Sequence, residues 1–180
     1  EGIFAIDTRA GIKHLRVPAI DDISVNMGKV YDEGEQVTAT ANGVTYEGFN
    51  INVGNPHAVV FTQDLATLGS LDVAPTVTPA SSYPEGVNVE FVELLGNQEA
   101  KMRVHERGSG ETQSCGTGTC AVALAATLQS GQSLPSRWVI YPPGGRLVVD
   151  IDGHSNATLT GPALLLEDHD VTAFLSDGAA

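Results

Sequence analysis

Through most of the chain apolar positions alternate with polar ones over short stretches, the period of a half-buried β-strand. Ile3 to Thr8 and Ile12 to Val17 are two such stretches, joined at Ala10 and Gly11 and ended by Pro18. Ile23, Val25 and Met27 predict a third, with Gly28 as its turn. Val37 to Ala41 and Val44 to Val53 flank Asn42-Gly43, the dipeptide that accepts positive φ at both centres of a two-residue hairpin. The strand reading continues at Ala58 to Phe61, Val87 to Leu95, Ala100 to His105 and Arg137 to Tyr141. It resumes at Leu147 to Ile151, Ala157 to Leu159 and Ala163 to Leu166. Gly96-Asn97, Pro142 to Gly145 and Asp152-Gly153 supply turns, and Asp64 to Leu68 reads as a short helix. Asp72 to Glu85, rich in Pro, Thr and Ser, reads as an irregular connection, and Asp170 to Ala180 as a weakly patterned tail.

One stretch breaks the alternation. From Thr119 to Leu128 nearly every residue is Ala, Val, Leu, Cys or Thr, so the helix it predicts is apolar all round and must be enclosed. With strands before and after it, the expected fold is α+β: a mainly antiparallel, curled sheet wrapped around a central apolar helix.

Composition narrows the function classes. The 180 residues carry 22 acids against 9 bases, a net charge of -13. That opposes nonspecific binding to nucleic acid or to an anionic membrane. No apolar run approaches the ~18 residues of a membrane-spanning helix, and the expected location is cytoplasmic. Cys115 and Cys120 lie five apart in one predicted helix and so point to different sides, which argues for free thiols in a reducing compartment. Their spacing gives no zinc pattern, and no metal site is expected. The chain opens at Glu1 within a strand pattern and without an initiator methionine, as expected if a further segment lies upstream.

Candidate chemistry gathers just ahead of the apolar helix, in ERGSGETQSCGTGT, residues 106–119. Gly108, Gly110, Gly116 and Gly118 permit positive φ and close approach of a ligand to the backbone. Cys115 at the helix start faces N–H groups suited to a carboxylate, and the same positive end is expected to lower its thiol pKa. Glu106 and Arg107 offer a carboxylate for an ammonium and a planar fork for a carboxylate, a pair suited to an amino-acid head group. Asn55 and His57 stand at a rigid Gly-Asn-Pro-His break between strands, and Asn88 in a strand, where pockets are often lined. His14, His105, His154 and His169 show no partners and are read as surface residues.

Three segments occur in an order and spacing that resemble diaminopimelate epimerase. They are Gly54-Asn55-Pro56-His57-Ala58-Val59-Val60-Phe61, Gly86-Val87-Asn88-Val89-Glu90-Phe91, and Glu106-Arg107-Gly108-x-Gly110-Glu111-Thr112-x-x-Cys115-Gly116-Thr117-Gly118. The resemblance implies racemisation at carbon with neither pyridoxal phosphate nor metal, one cysteine removing the α-proton and a second delivering a proton to the opposite face. By motif, Cys115, His57 and Glu106 would be the catalytic set. Gly116 and Thr117 would give backbone N–H groups to the α-carboxylate, and Asn55, Asn88, Glu106 and Arg107 would hold the distal amino-acid group. The family's other cysteine sits in a Cys-Gly-Asn-Gly segment of a first domain, which this sequence lacks. The expected organisation is therefore residues 1–17 from the end of that first domain, 18–166 as the second domain, and 167–180 as a tail. The implied partners are diaminopimelate and the first domain, with a homodimer left open. Two other readings stand beside this one: a thiol acyltransferase or hydrolase using Cys115 and His57, and a folded module without activity until a partner chain completes its cleft.

Overall fold

The computed structural model describes residues 2–8, 11–18 and 22–163. Among the described residues thirteen strands and one α-helix follow in order: β1 (Gly2–Thr8), β2 (Gly11–Val17), β3 (Ile23–Lys29), β4 (Tyr31–Ala41), β5 (Val44–Asn52), β6 (Pro56–Phe61), β7 (Thr76–Thr78), β8 (Asn88–Gly96), β9 (Glu99–Glu106), β10 (Gly110–Thr112), α1 (Gly116–Gln129), β11 (Ser136–Tyr141), β12 (Leu147–Ile151) and β13 (Asn156–Gly161). They form one sheet in the order β1-β2-β3-β13-β12-β11-β9-β8-β6-β5-β4-β7, with β10 paired to β9. Most neighbours are antiparallel, but β6 with β8 and β9 with β11 are parallel, so the sheet is mixed. Each parallel pair needs a crossover. Residues 62–87 make the first, and α1 lies within the second.

These crossovers bury both faces of the sheet where β4, β6 and β8 run, whereas β1 and β2 stay largely exposed. Alternate residues Val59, Val92, Met102 and Val104 share one core with α1, together with Trp138 and Ile140 of β11 and Val149 of β12. Val60, Phe91, Val37 and Ala39 point the opposite way, onto Leu65, Leu68, Leu71 and Tyr83 of the first crossover. Every residue of α1 from Gly118 to Ala126 is buried, and Thr127 with them. The helix lies against β5, β6, β8, β11, β12 and β13. Small side chains allow this: Ala121, Ala123, Ala125 and Ala126 are fully buried without holding the strands away.

Local chemistry explains most strand boundaries, and three points differ from the pattern reading. Asn42 and Gly43 take φ of 49° and 80°, the left-handed turn that the hairpin requires. The turn after β8 falls on Asn97 and Gln98, also at positive φ, one residue beyond the expected Gly96-Asn97. Gly28 does not turn the chain: it lies inside β3 at φ 92°, at a bulge where β3 pairs with β13. The connection from Asp72 to Glu85 is not wholly irregular, since it contributes β7 to the edge of β4 and a 3-10 turn at Ala80–Ser82. The helix at 64–68 is a single 3-10 turn over Leu65–Leu68, capped by Asp64. Residues 164–166 of the last predicted strand, the tail and His169 lie outside the described residues.

The close pairing of β5 and β6 yields a stability test. A Cβ added at Gly48 would sit 1.8 Å from the carbonyl oxygen of Val59, a backbone atom that cannot turn aside. Gly48→Ala is expected to lower unfolding stability by ~1–3 kcal/mol or more, read as a fall in urea midpoint. An unchanged midpoint would contradict this packing.

Candidate functional site

The fold brings one end of β6, β8 and β9 to the start of α1. His57 opposes Asn88 in the parallel register, and Glu90 follows two residues later on the same helix-facing side. Gly118 makes this approach possible, because a Cβ there would lie 2.6 Å from Glu90 Oε1. Gly116 and Gly118 are thus ordinary helical residues, Gly118 alone of the two being required for space, whereas Gly108 and Gly110 do take positive φ, 81° and 83°. The loop into the helix is braced as well. Arg103 grips Glu111 through two hydrogen bonds of 2.7 and 2.8 Å, and Gly144 N–H donates to the Gln113 carbonyl at 2.7 Å.

Cys115 is the N-cap of α1. Its Sγ accepts from Gly118 N–H at 3.4 Å, in the place usually held by a Ser or Asp oxygen. Thr117 Oγ1 lies 3.5 Å from the same sulfur. The thiol pKa is nevertheless raised, against the expectation of a lowered one. Burial is the largest cause, the Glu90 and Glu106 carboxylates add to it, and the Thr117 and Gly118 hydrogen bonds pull the other way without prevailing. Cys120 is a fully buried free thiol whose pKa burial pushes up to about 12, and Cys115 is free as well.

The predicted polar residues form two groups. In the first, Asn55 Nδ2 donates to Thr117 Oγ1 at 3.3 Å while its Oδ1 lies 3.1 Å from His57 Nε2. His57 Nδ1 lies 2.7 Å from Glu90 Oε1, and both side chains are 0% exposed. Among the described residues no hydrogen bond joins His57 to Cys115 directly; Asn55 and Thr117 link them. In the second group, Asn88 Oδ1 accepts Arg107 N–H at 2.9 Å, and the Arg107 guanidinium donates to the Glu85 carbonyl at 3.0 Å. Glu106 accepts a hydrogen bond from Thr112. Asn55 and Arg107 line a common cavity of about 260 Å³ with Tyr83 and Gly86.

Glu90 is the residue that the sequence reading passed over, although it lies within a quoted motif. The signal was available: an acid between Val89 and Phe91 in a strand buried on both faces must have a partner. His105 is likewise not a surface residue, being buried with its Nδ1 2.8 Å from the Leu71 carbonyl. His14 and His154 are exposed as expected.

Known proteins locate this arrangement in two steps. Among solved structures, the chain is similar to a hydroxyproline epimerase from Agrobacterium vitis, with a TM-score of 0.63 and 17% identity over 89% of this chain and 57% of that one. It is also similar to a PhzF-family phenazine biosynthesis protein from Bacillus anthracis, with a TM-score of 0.62 and 12% identity over 89% of this chain and 65% of that one. At such identities the likeness shows the fold alone, one shared with these two proteins. The particular family follows from sequence: the model of the diaminopimelate epimerase family matches residues 49–166. The diaminopimelate epimerase of Streptomyces coelicolor is 40% identical over 173 residues, 93% of this chain and 60% of its own length. That of Mycolicibacterium vanbaalenii is 42% identical over 175 residues, with the same two shares, 93% and 60%. The chain belongs to the diaminopimelate epimerase family. It spans about 60% of the length of these relatives. Among the described residues no helix is long and apolar enough to cross a membrane, which says nothing of a β-barrel.

The electrostatics give two tests. Alkylation of Cys115 by iodoacetamide should rise with pH to a midpoint above the ordinary thiol value of ~8.5, with Cys120 unlabelled while the fold persists; a midpoint near 7 would contradict the burial account. Glu111 has its carboxyl held below the usual value by hydrogen bonding to Arg103. A depressed folded-state pKa contributes stability above the ordinary carboxylate range and loses it as pH falls through the folded value. Glu111→Gln should therefore lower Tm at pH 7, with the difference from the parent closing below about pH 4.

Proposed function

We propose that this chain supplies one side of a cofactor-independent site that interconverts LL- and meso-diaminopimelate, for lysine and peptidoglycan precursor synthesis in the cytoplasm. The observation that carries this reading is Cys115 at the N-terminus of a buried helix, hydrogen-bonded by Thr117 and Gly118, in a chain of this family. The remainder of the relatives' length supplies the second cysteine. Residues 1–17 then belong to the end of the first domain, 18–166 to the second, and 167–180 to a returning tail, with the sheet of the second domain curled around α1 as its wall.

The reaction removes a hydrogen from carbon next to a carboxylate, a proton far less acidic than a thiol. Fixed donors and exclusion of water must lower that barrier. Helix N-terminal N–H groups lack intrahelical acceptors, so those of Gly116 and Thr117 grip the α-carboxylate and stabilise the charge that builds up as the proton leaves. A thiolate on one face takes the proton while a thiol on the other returns one. The raised pKa of Cys115 suits the proton-bearing side of that pair in the resting enzyme. For the reverse direction the roles exchange. Asn55, Asn88, Glu106 and Arg107 hold the distal amino-acid group, and Glu106 also borders the reacting centre, where its charge reaches the thiol. His57, fully buried, acts on that centre through Asn55 and Thr117.

An acyl-transfer reading draws less support, because a Cys–His catalytic pair needs the two side chains hydrogen-bonded, and His57 is bonded instead to Glu90 and Asn55. A folded module lacking activity by itself remains compatible with the proposal for the isolated chain.

The full-length protein should epimerise LL-diaminopimelate, and Cys115→Ser should lower turnover by about 10²–10⁴-fold. The 180-residue chain alone should exchange no α-proton in D2O. Unchanged turnover in the variant, exchange by the chain alone, or an acyl-enzyme burst with an activated ester would each sink the proposal.

A further inference from the structure

The donors and acceptors between β8 and α1 can be ordered in one direction. Asn55 spends its amide N–H on Thr117 Oγ1, so its carbonyl oxygen faces His57 Nε2. A carbonyl oxygen only accepts, so Nε2 must carry a hydrogen. On the far side of the ring, Nδ1 lies 2.7 Å from Glu90 Oε1. A carboxylate there also only accepts, so either both ring nitrogens are protonated or Glu90 keeps the proton and donates it to Nδ1. In both cases the pair holds one proton more than a neutral imidazole and a carboxylate would, and its net charge is zero. Burial requires that compensation: both side chains are 0% exposed, and Glu90 Oε2 has no hydrogen-bond partner. An uncompensated carboxylate in that position would be very costly. At the other end, Thr117 Oγ1 has accepted from Asn55 and is left to donate its own hydrogen to Cys115 Sγ, 3.5 Å away.

We propose that Glu90 is a positioning residue: by sharing a proton with His57 it makes His57 Nε2–H, Asn55 Nδ2–H and Thr117 Oγ1–H donate in sequence toward Cys115 Sγ. The chain gives the buried sulfur a second donor beside Gly118 N–H. It offsets the burial that disfavours the thiolate, so that the sulfur can cycle between its two forms. Without the shared proton, Nε2 presents a lone pair, Asn55 reverses its amide, and Thr117 turns its hydrogen toward Asn55 and away from sulfur. Gly118 belongs to the same device, since a side chain there would collide with Glu90. The charged and titratable groups that act on Cys115 are Glu90 from β8 and Glu106 from β9, with Cys120 further along α1.

The inference deepens the reading of Cys115 as a proton-transfer thiol, but its test uses no diaminopimelate. In the full-length protein labelled with 15N-histidine, the His57 ring, assigned by loss of its signals in His57→Gln, should show a proton on Nε2 at pH 7. A ring protonated on Nδ1 alone would overturn the proposal. Alkylation of Cys115 by iodoacetamide, followed on its own peptide by mass spectrometry, gives the second arm. Glu90→Leu removes the proton-holding partner and should raise the thiol midpoint by about one pH unit, slowing alkylation near neutrality by ~10-fold. Glu90→Gln keeps an amide donor for Nδ1, hence Nε2–H, and should restore the parental midpoint. A bare carboxylate acting only through its charge predicts the reverse, with both variants alkylated faster. That result, or no change in Glu90→Leu, would contradict the proposal. If Glu90→Leu does not fold, the 15N measurement on the parent decides.

Discussion

A helix without a polar face can exist in water only if it is enclosed, and the rest of this molecule answers to that constraint. The sheet supplies apolar side chains to α1 from strands on both sides of the β9–β11 junction. The alanines of the helix let the strands come close, and the same closeness forces its first turn against the ends of β6, β8 and β9. Cys115 therefore cannot be an exposed thiol on a loop. It is the cap of a buried helix, and of the polar residues around it His57, Glu90 and Asn88 are buried and Asn55 half-buried; each makes a hydrogen bond, while Glu90 Oε2 is left without a partner.

Two effects of that burial compete on the sulfur. Withdrawal from water and the nearby carboxylates disfavour the thiolate, while the helix N-terminus and Thr117 favour it. Under the proposed function, proton transfer at carbon in both directions asks for a group that can both hold and release its proton. The proton that the proposal has Glu90 share with His57 would lessen the charge this carboxylate sets against the thiol. A cleft closed by the remainder of the relatives' length would exclude water further and strengthen every one of these interactions.

Much of this was legible in the sequence. The Asn42-Gly43 hairpin, the strands at 100–105 and 147–151, and the buried helix each follow from local period and turn chemistry. The parallel pairings did not follow, because nothing in a strand's own alternation says which neighbour it takes across a crossover of residues 62–87. Nor did Gly28, where the same glycine preference for positive φ serves a bulge instead of a turn. At the site, the motif residues were found but their connections were not. His57 and Glu90 lie 33 positions apart in sequence and meet only through the β6–β8 register. The thiol pKa also went the other way, since a helix start can be recognised in sequence whereas the depth of burial that outweighs it cannot.

The central claim is that Cys115 serves one face of the substrate carbon and a second thiol the other. The most direct measurement is the rate of α-hydrogen loss to D2O from each configuration of diaminopimelate by full-length Cys115→Ser. The account predicts an unequal loss: abstraction from the configuration whose hydrogen faces residue 115 should fall far more than abstraction from its mirror-related centre. Equal rates of loss from both, or no loss from either, would contradict it.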